Sequence, residues 1–332
     1  MQRAATSLLF GIDFQTNAAI VLMLENIKEM STVRVEGEED IEIQLNDGSY
    51  VLAQAKSVVD SSTDFNNVRS KAKKAVETLS EAADKLKVKE LIYITNSPNP
   101  FNDEASKSQF TLDAHVKYDT LPPSTKGLIE SWFDGIKKPL DTSKFKIQVL
   151  PFESDDDKQR YKFVLRDIAD FIGDIDIDAD GLRKRLHEVW TNALTKNGSR
   201  KDTSIKLHKK AIVWPIIVFV TGKSRLSRDA QYCNLLDDAE YDAVCRKYGE
   251  VIDDYIERYD FATKVVSDFS SAGLNGREAI KIFIDAHWKD YKEELKATSM
   301  NEGIRCSLIK IILFNILSKR YDIDRIKCAV NL

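Results

Sequence analysis

Cysteine is scarce and confined to one end of the chain. The 332 residues contain four, Cys233, Cys245, Cys306 and Cys328, all in the last third and without CxxC spacing. That pattern indicates neither a zinc site nor a disulfide framework, and the expected role is that of small buried hydrophobes in a reducing cytosol. Histidine is equally sparse: His115, His187, His208 and His287 have no metal-ligand spacing with one another or with a cysteine. There is no excess of positive charge, with 49 Lys and Arg against 53 Asp and Glu and a net charge of −4. Any nucleic-acid surface therefore has to be a local patch.

Long hydrophobic runs are missing as well. The most apolar stretch, 211–220 (AIVWPIIVFV), contains Pro215 and falls far short of the roughly twenty residues that span a bilayer. A buried strand is the expectation. The opening MQRAATSLLFGIDFQTNAAIVLML carries Asp13 and Gln15 within its apolar part, so it reads as the entry to an amphipathic helix in place of a secretory signal. A cytoplasmic protein without membrane attachment follows as an expectation. What remains is ordinary for a packed protein of two domains: 43% hydrophobic and 31% charged residues.

The chemistry concentrates in 33–57, VRVEGEEDIEIQLNDGSYVLAQAKS. Ile41, Ile43 and Leu45 alternate with Asp40, Glu42 and Gln44, the period of a half-buried strand. Asn46-Asp47-Gly48-Ser49 supplies a turn, since Asp-Gly tolerates positive φ. On the second strand Tyr50, Leu52, Gln54 and Lys56 share one face. Across such a hairpin Asp40 sits beside Gln54 and Lys56. A carboxylate, an amide oxygen and a backbone carbonyl are hard ligands of the kind Mg²⁺ selects, and its waters can serve as nucleophiles. A lysine beside them stabilises charge growing on phosphoryl oxygens. The alternative is an exposed amphipathic hairpin whose charges are solvated. Glu36 shares the even-numbered face with Asp40, whereas Glu39 points the other way unless the strand is bulged.

Around the hairpin the spacing predicts helices over 13–29 and 64–88, a strand over 91–95, a long loop over 97–123, a helix from 122 to 136 and a strand over 144–150. Arg69, Lys71, Lys73 and Lys74 form a basic cluster on the second helix, read either as phosphate contacts or as a solvated face. After a polar break at 151–157 come a helix over 158–171, a strand from 174 feeding a helix over 182–194, and a basic turn-rich stretch, 196–210, which is either a contact for DNA or a partner, or a solvated linker. Asp176, Asp178, Asp180 and Gly181 begin like a calcium loop, but its twelfth position is His187. Thr221-Gly222-Lys223-Ser224 lacks the earlier glycine of a phosphate loop, since Ile217 stands there. Helices are expected over 237–269, 276–297 and 301–320. The expected domains are 1–152, an α/β connecting region over 153–235, and a helical regulatory or assembly domain over 236–332.

Glu39-Asp40, thirteen residues, then Gln54-Ala55-Lys56 resembles the two halves of the motif of PD-(D/E)XK, restriction-endonuclease-like nucleases. With Gly11-Ile12-Asp13-Phe14-Gln15 opening the first helix and 91–97 (LIYITNS) as a later strand, the first 100 to 150 residues resemble the double-stranded DNA endonuclease domains of nucleotidyltransferase-associated (CBASS) and similar anti-phage effectors. The resemblance implies an α/β domain with a mixed sheet flanked by helices, followed by a mainly α-helical C-terminal region. It makes Asp40 the principal Mg²⁺ or Mn²⁺ ligand, Gln54 the second, the Ala55 carbonyl a third, and Lys56 the catalytic lysine. Gln15 and Glu25 would reach in from the helix. The commonest form of the motif has an acid where Gln54 stands, which removes one charge from the metal site. The implied partners are double-stranded DNA and, through the C-terminal helices, a second copy or another protein. A non-catalytic DNA- or protein-binding scaffold that keeps the fold is the competing expectation.

Overall fold

The computed structural model describes residues 2–37, 39–177, 181–222, 237–253, 258–274, 276–295 and 301–332. The chain forms two compact units, Met1–Asp174 with Asp180–Lys209, and Ile175–Ala179 with Lys210–Leu332. The first unit runs α1 (Gln2–Glu25), β1 (Met30–Val35), β2 (Ile41–Leu45), β3 (Tyr50–Lys56), α2 (Phe65–Ala83), β4 (Val88–Thr95), α3 (Glu104–Lys107), β5 (His115–Lys117), α4 (Pro123–Ser131), β6 (Phe145–Val149), α5 (Asp157–Arg160), α6 (Lys162–Asp174), α7 (Leu182–Gly198) and β7 (Leu207–His208). Its seven-stranded mixed sheet has the order β5-β6-β4-β3-β2-β1-β7. The centre, β3, β4 and β6, is parallel, and the strands on both flanks are antiparallel.

Each face of the sheet is covered because each element brings an apolar stripe. On α2 the residues Ala72, Ala75, Val76 and Leu79 are buried against Leu52, Leu91 and Tyr93, and Asp64 caps its first turn by accepting from the Asn67 N–H. The alternate residues of β3, Val51, Ala53 and Ala55, are buried too. There α1 packs on β1, β2 and β3, and α6 and α7 pack on α1, with Phe14, Ala18, Ile20, Leu22 and Met23 of α1 at 0% exposure. Ala5–Glu25 is long and apolar enough to cross a membrane, and 61% of that apolar window is buried inside the protein. It is a core helix of this unit.

The second unit is helical: α8 (Lys209–Gly222), α9 (Asp238–Asp253), α10 (Arg258–Ser271), α11 (Arg277–His287), α12 (Glu302–Ser318) and α13 (Arg320–Val330). Its core helix is α12, which packs on α9, α10 and α11. Leu308, Ile309, Ile311, Ile312, Leu313, Ile316 and Leu317 make it apolar almost all round, the pattern of an enclosed helix. The mixed sheet flanked by helices and the helical C-terminal region agree with expectation.

Several elements differ from the sequence reading. The run 211–220 is the body of α8, with Pro215 inside it, and not a strand. A run apolar at every position has no periodicity to separate the two. The expected loop over 97–123 contains α3, two turns of 3₁₀ helix and the edge strand β5, three residues too short to show alternation. No strand forms from 174: α6 continues to Asp174, Asp176 takes φ 50°, and 178–180 lie outside the described residues. The same holds for 223–224 of the Thr-Gly-Lys-Ser stretch, for Cys233, and for 254–257 within the expected helix 237–269. The region expected as a connection, 153–235, contributes α6 and α7 to the first unit and α8 to the second.

Candidate active site

The site forms where β3 outruns its neighbour. Pairing between β2 and β3 ends at Ile41↔Ala53, so Gln54, Ala55 and Lys56 lack a strand partner on that side while β4 still pairs with them on the other. The turn linking β1 to β2 fills the gap. Glu36 enters it at φ 58°, its N–H bonds the Asp40 carbonyl at 3.0 Å, and the Gly37 N–H bonds the Glu39 carbonyl at 3.0 Å. Gln15 of α1 donates to the same Asp40 carbonyl at 2.8 Å. Held this way, Asp40 Oδ2 accepts from the Ala55 N–H at 3.0 Å and from Lys56 Nζ at 2.7 Å. A strand residue turns its N–H and C=O to the same neighbour, so the Ala55 carbonyl lies on the Asp40 side.

Glu39 joins them. Leaving β1 through a positive-φ residue breaks the alternation, and the Gln54 side-chain amide donates to Glu39 Oε2. Glu39 is 3% exposed, and its Oε1 is buried without a hydrogen-bond partner. Its N–H donates to Glu42 Oε1 at 3.3 Å, and Glu42 Oε2 lies 3.6 Å from Lys206 Nζ. Burial, seconded by the Asp40 charge and opposed by the Gln54 hydrogen bond, pushes the Glu39 carboxyl up to about 7. Burial also raises Asp40, against the pull of Lys56 and the Ala55 N–H. Two carboxyls in one desolvated corner with a single lysine against them favour a further positive charge.

Among the described residues no group of three or more His, Cys, Asp or Glu is placed to hold a metal ion. A cation would rest on a mixed oxygen set: the Asp40 carboxylate, the Gln54 amide oxygen, the Ala55 carbonyl, and the unpartnered Glu39 Oε1. All are hard donors, so the residues fit Mg²⁺ or Mn²⁺.

The structure thus brings Gln15, Asp40, Gln54, Ala55 and Lys56 together. Glu39, expected to point away unless the strand is bulged, faces Gln54, because the chain turns at Glu36-Gly37 instead of running straight into β2. Gly37 is fitted to that turn, since a Cβ there would come within 2.2 Å of Glu42 Oε1. Glu25 does not reach the site. It accepts from Gln148 of β6 at 2.8 Å and lies 3.7 Å from His115 of β5. The basic stretch 196–210 covers a neighbouring part of the sheet, where fully buried Arg34 of β1 donates to the carbonyls of Arg200, Asp202 and Ile205 at 3.2, 3.2 and 2.7 Å. In the second unit Asp176 pairs with Arg325 at 2.6 Å.

No family model and no curated protein matches the chain. Among solved structures it is similar to the Cap4 SAVED/CARF-domain containing receptor of Acinetobacter baumannii, solved with the cyclic trinucleotide 3'3'3'-cAAA, at 16% identity and a TM-score of 0.39 over 63% of this chain and 45% of that one. It is similar also to the Moraxella osloensis Cap4 receptor, at 14% identity and a TM-score of 0.37 over 63% and 47%. The chain spans less than half the length of these receptors.

Proposed function

We propose that the first unit is a metal-dependent endonuclease that hydrolyses phosphodiester bonds of double-stranded DNA. The observation that carries the reading is Lys56 held against Asp40 at 2.7 Å beside the Gln54–Glu39 pair. Lys56 ends a central strand with its side chain 27% exposed, and a charge partner offsets the partial desolvation of its ammonium. A Mg²⁺ or Mn²⁺ ion on Asp40, the Gln54 amide oxygen and the Ala55 carbonyl supplies, when bound, an activated water and charge for the phosphoryl oxygens. Asp40 orients the Lys56 ammonium, which stabilises the negative charge that develops as water attacks phosphorus. Gln15 fixes the backbone from which Asp40 projects, and Gln54 holds Glu39 in place through its amide N–H₂. The attacking oxygen bonds to phosphorus, the bond to the leaving sugar oxygen breaks, and that oxygen takes up a proton.

The motif resemblance extends the reading to a cytoplasmic anti-phage effector whose helical unit restrains the cutting unit or docks a second copy or a partner protein. The site geometry, and not the likeness to the receptors, supports the chemistry. Linear and supercoiled duplex DNA incubated with the protein and Mg²⁺, or with EDTA, tests it. Cutting that needs the metal and is lost in Lys56→Ala is expected; near-normal cutting by that variant removes Lys56 from the mechanism.

A second reading, a non-catalytic scaffold, has its own support. Gln54 stands where the motif commonly has an acid, and Asp40 and Lys56 neutralise each other. Absence of metal-dependent cutting both by the whole chain and by a chain ending at Lys209 would favour it.

A further inference from the structure

An open cleft of about 510 Å³ lies beside this site, lined in part by Thr6 and Ser7 of α1, Asp60 after β3, and Asp64, Asn67 and Lys71 along α2. The last three recur at steps of three and four residues and so share one side of the helix. The basic cluster of α2 divides here. Arg69, Lys73 and Lys74 are exposed, and Lys73 pairs with Glu77 at 3.8 Å. Lys71 is half-buried, and its ammonium donates to the carbonyl of Ser57, the residue after Lys56. Burial and the neighbouring Lys56 charge hold Lys71 below the usual lysine range, with Asp64 acting in the opposite direction. Lys56 has a carboxylate against it, whereas Lys71 rests on a carbonyl. Two ammonium groups so placed are relieved by an anion brought in from outside.

Resting on the nuclease reading of the neighbouring trio, we infer that Lys71 binds the backbone phosphate adjacent to the one that is cut, and that the cleft seats the nucleotide between them. Thr6, Ser7 and Asn67 offer hydroxyl and amide groups to its sugar and phosphate oxygens. Asp60 and Asp64 keep the cleft from being uniformly cationic, so the contact is to one phosphate and not to a length of backbone.

The test is equilibrium binding of a duplex by the full chain as a function of salt, with Ca²⁺ in place of Mg²⁺ to occupy the oxygen ligands with a larger, less demanding ion. Lys71→Gln keeps a donor for the Ser57 carbonyl while removing the charge, and Lys73→Gln removes the same charge from the exposed side of the helix. Lys71→Gln is expected to weaken binding about five- to tenfold and to lower the slope of log K against log[salt] by about 0.9, one phosphate contact. Lys73→Gln should leave both within error of wild type, and thermal melting of each variant reports whether it is folded. Wild-type affinity and slope in folded Lys71→Gln, or equal losses in the two variants, overturn the assignment. If neither the whole chain nor the chain ending at Lys209 binds or cuts the duplex, the nuclease reading fails and this one with it.

Discussion

Two acids meet Gln54 and Lys56, and their partners separate their roles. Asp40 Oδ2 takes both the Ala55 N–H and the Lys56 ammonium, so Asp40→Asn weakens the cation site and releases the lysine together. A loss of about 10²- to 10³-fold in cutting rate, the scale seen when a charge-stabilising group is removed, with weaker Mg²⁺ binding by titration calorimetry, is the expected result. If Asp40→Asn cuts normally and Glu39→Gln is dead, Glu39 is the principal acid. Glu25, away from the site, makes a prediction about folding. Desolvation, ahead of the opposing Gln148 hydrogen bond, raises its carboxyl from 4.5 to about 7, but the side chain is 37% exposed, so solvent screens much of the effect and the pH dependence it gives is small. Across that window the folded chain holds a proton that the unfolded chain has released, so stability falls as pH rises from about 4.5 to about 7. Urea melts across this range should show the fall, and Glu25→Gln should flatten it in part, since Glu39 titrates in the same window. At this scale the sequence read well where chemistry and spacing coincide: Asp40, Gln54 and Lys56 lie two residues or one strand apart. It left Glu39 to whether the strand is bulged, which one positive-φ residue decides, and it misplaced Glu25, whose reach depends on the distance α1 runs along the sheet.

The element that sets the site is the turn between β1 and β2. Period-two alternation identified β2 and β3 and Asp-Gly their hairpin, but the break after Val35 was hidden because Glu36-Gly37-Glu38-Glu39 looks like more of a polar strand face. Gly37 lies against the buried Glu42 carboxylate, which itself receives the Glu39 N–H and faces Lys206. A methyl group at 37 pushes that carboxylate off both partners. Gly37→Ala is expected to destabilise the protein by about 1–3 kcal/mol, the usual range for overpacking a filled site, and to slow cutting more than Gly127→Ala in α4, where the added Cβ meets nothing within 4 Å and the backbone is not in the left-handed region. Equal effects of the two in denaturant melts and cleavage assays would mean that the turn is not what positions Glu39 and Asp40. Elements without periodicity were mistyped or missed: the run 211–220, expected as a buried strand, is the body of the helix α8, apolar on all sides, and β5 is visible only through its antiparallel pairing with β6.

Across the molecule, the first unit closes on itself only after β7. The Arg34 guanidinium, at 0% exposure, is satisfied by carbonyls of Arg200, Asp202 and Ile205, and Leu207–His208 pairs with β1. Composition could not show this, because a basic turn-rich stretch looks like a linker whichever side of it is bound. A chain ending at Lys209 keeps every one of these partners and the α6 and α7 packing on α1, so it should melt cooperatively and retain the metal-dependent cutting proposed for this unit. A chain ending at Lys196 loses the three carbonyls that hold the Arg34 guanidinium, keeping only that of Glu36, and loses the β7 pairing with β1, so it should melt at lower denaturant than the chain ending at Lys209. Arg34→Met in the longer chain separates the charge from the missing segment: it removes the group that needs the carbonyls, and in the chain ending at Lys196 it should restore part of the lost stability. No restoration would show that β7 pairing, and not Arg34, is what the segment contributes.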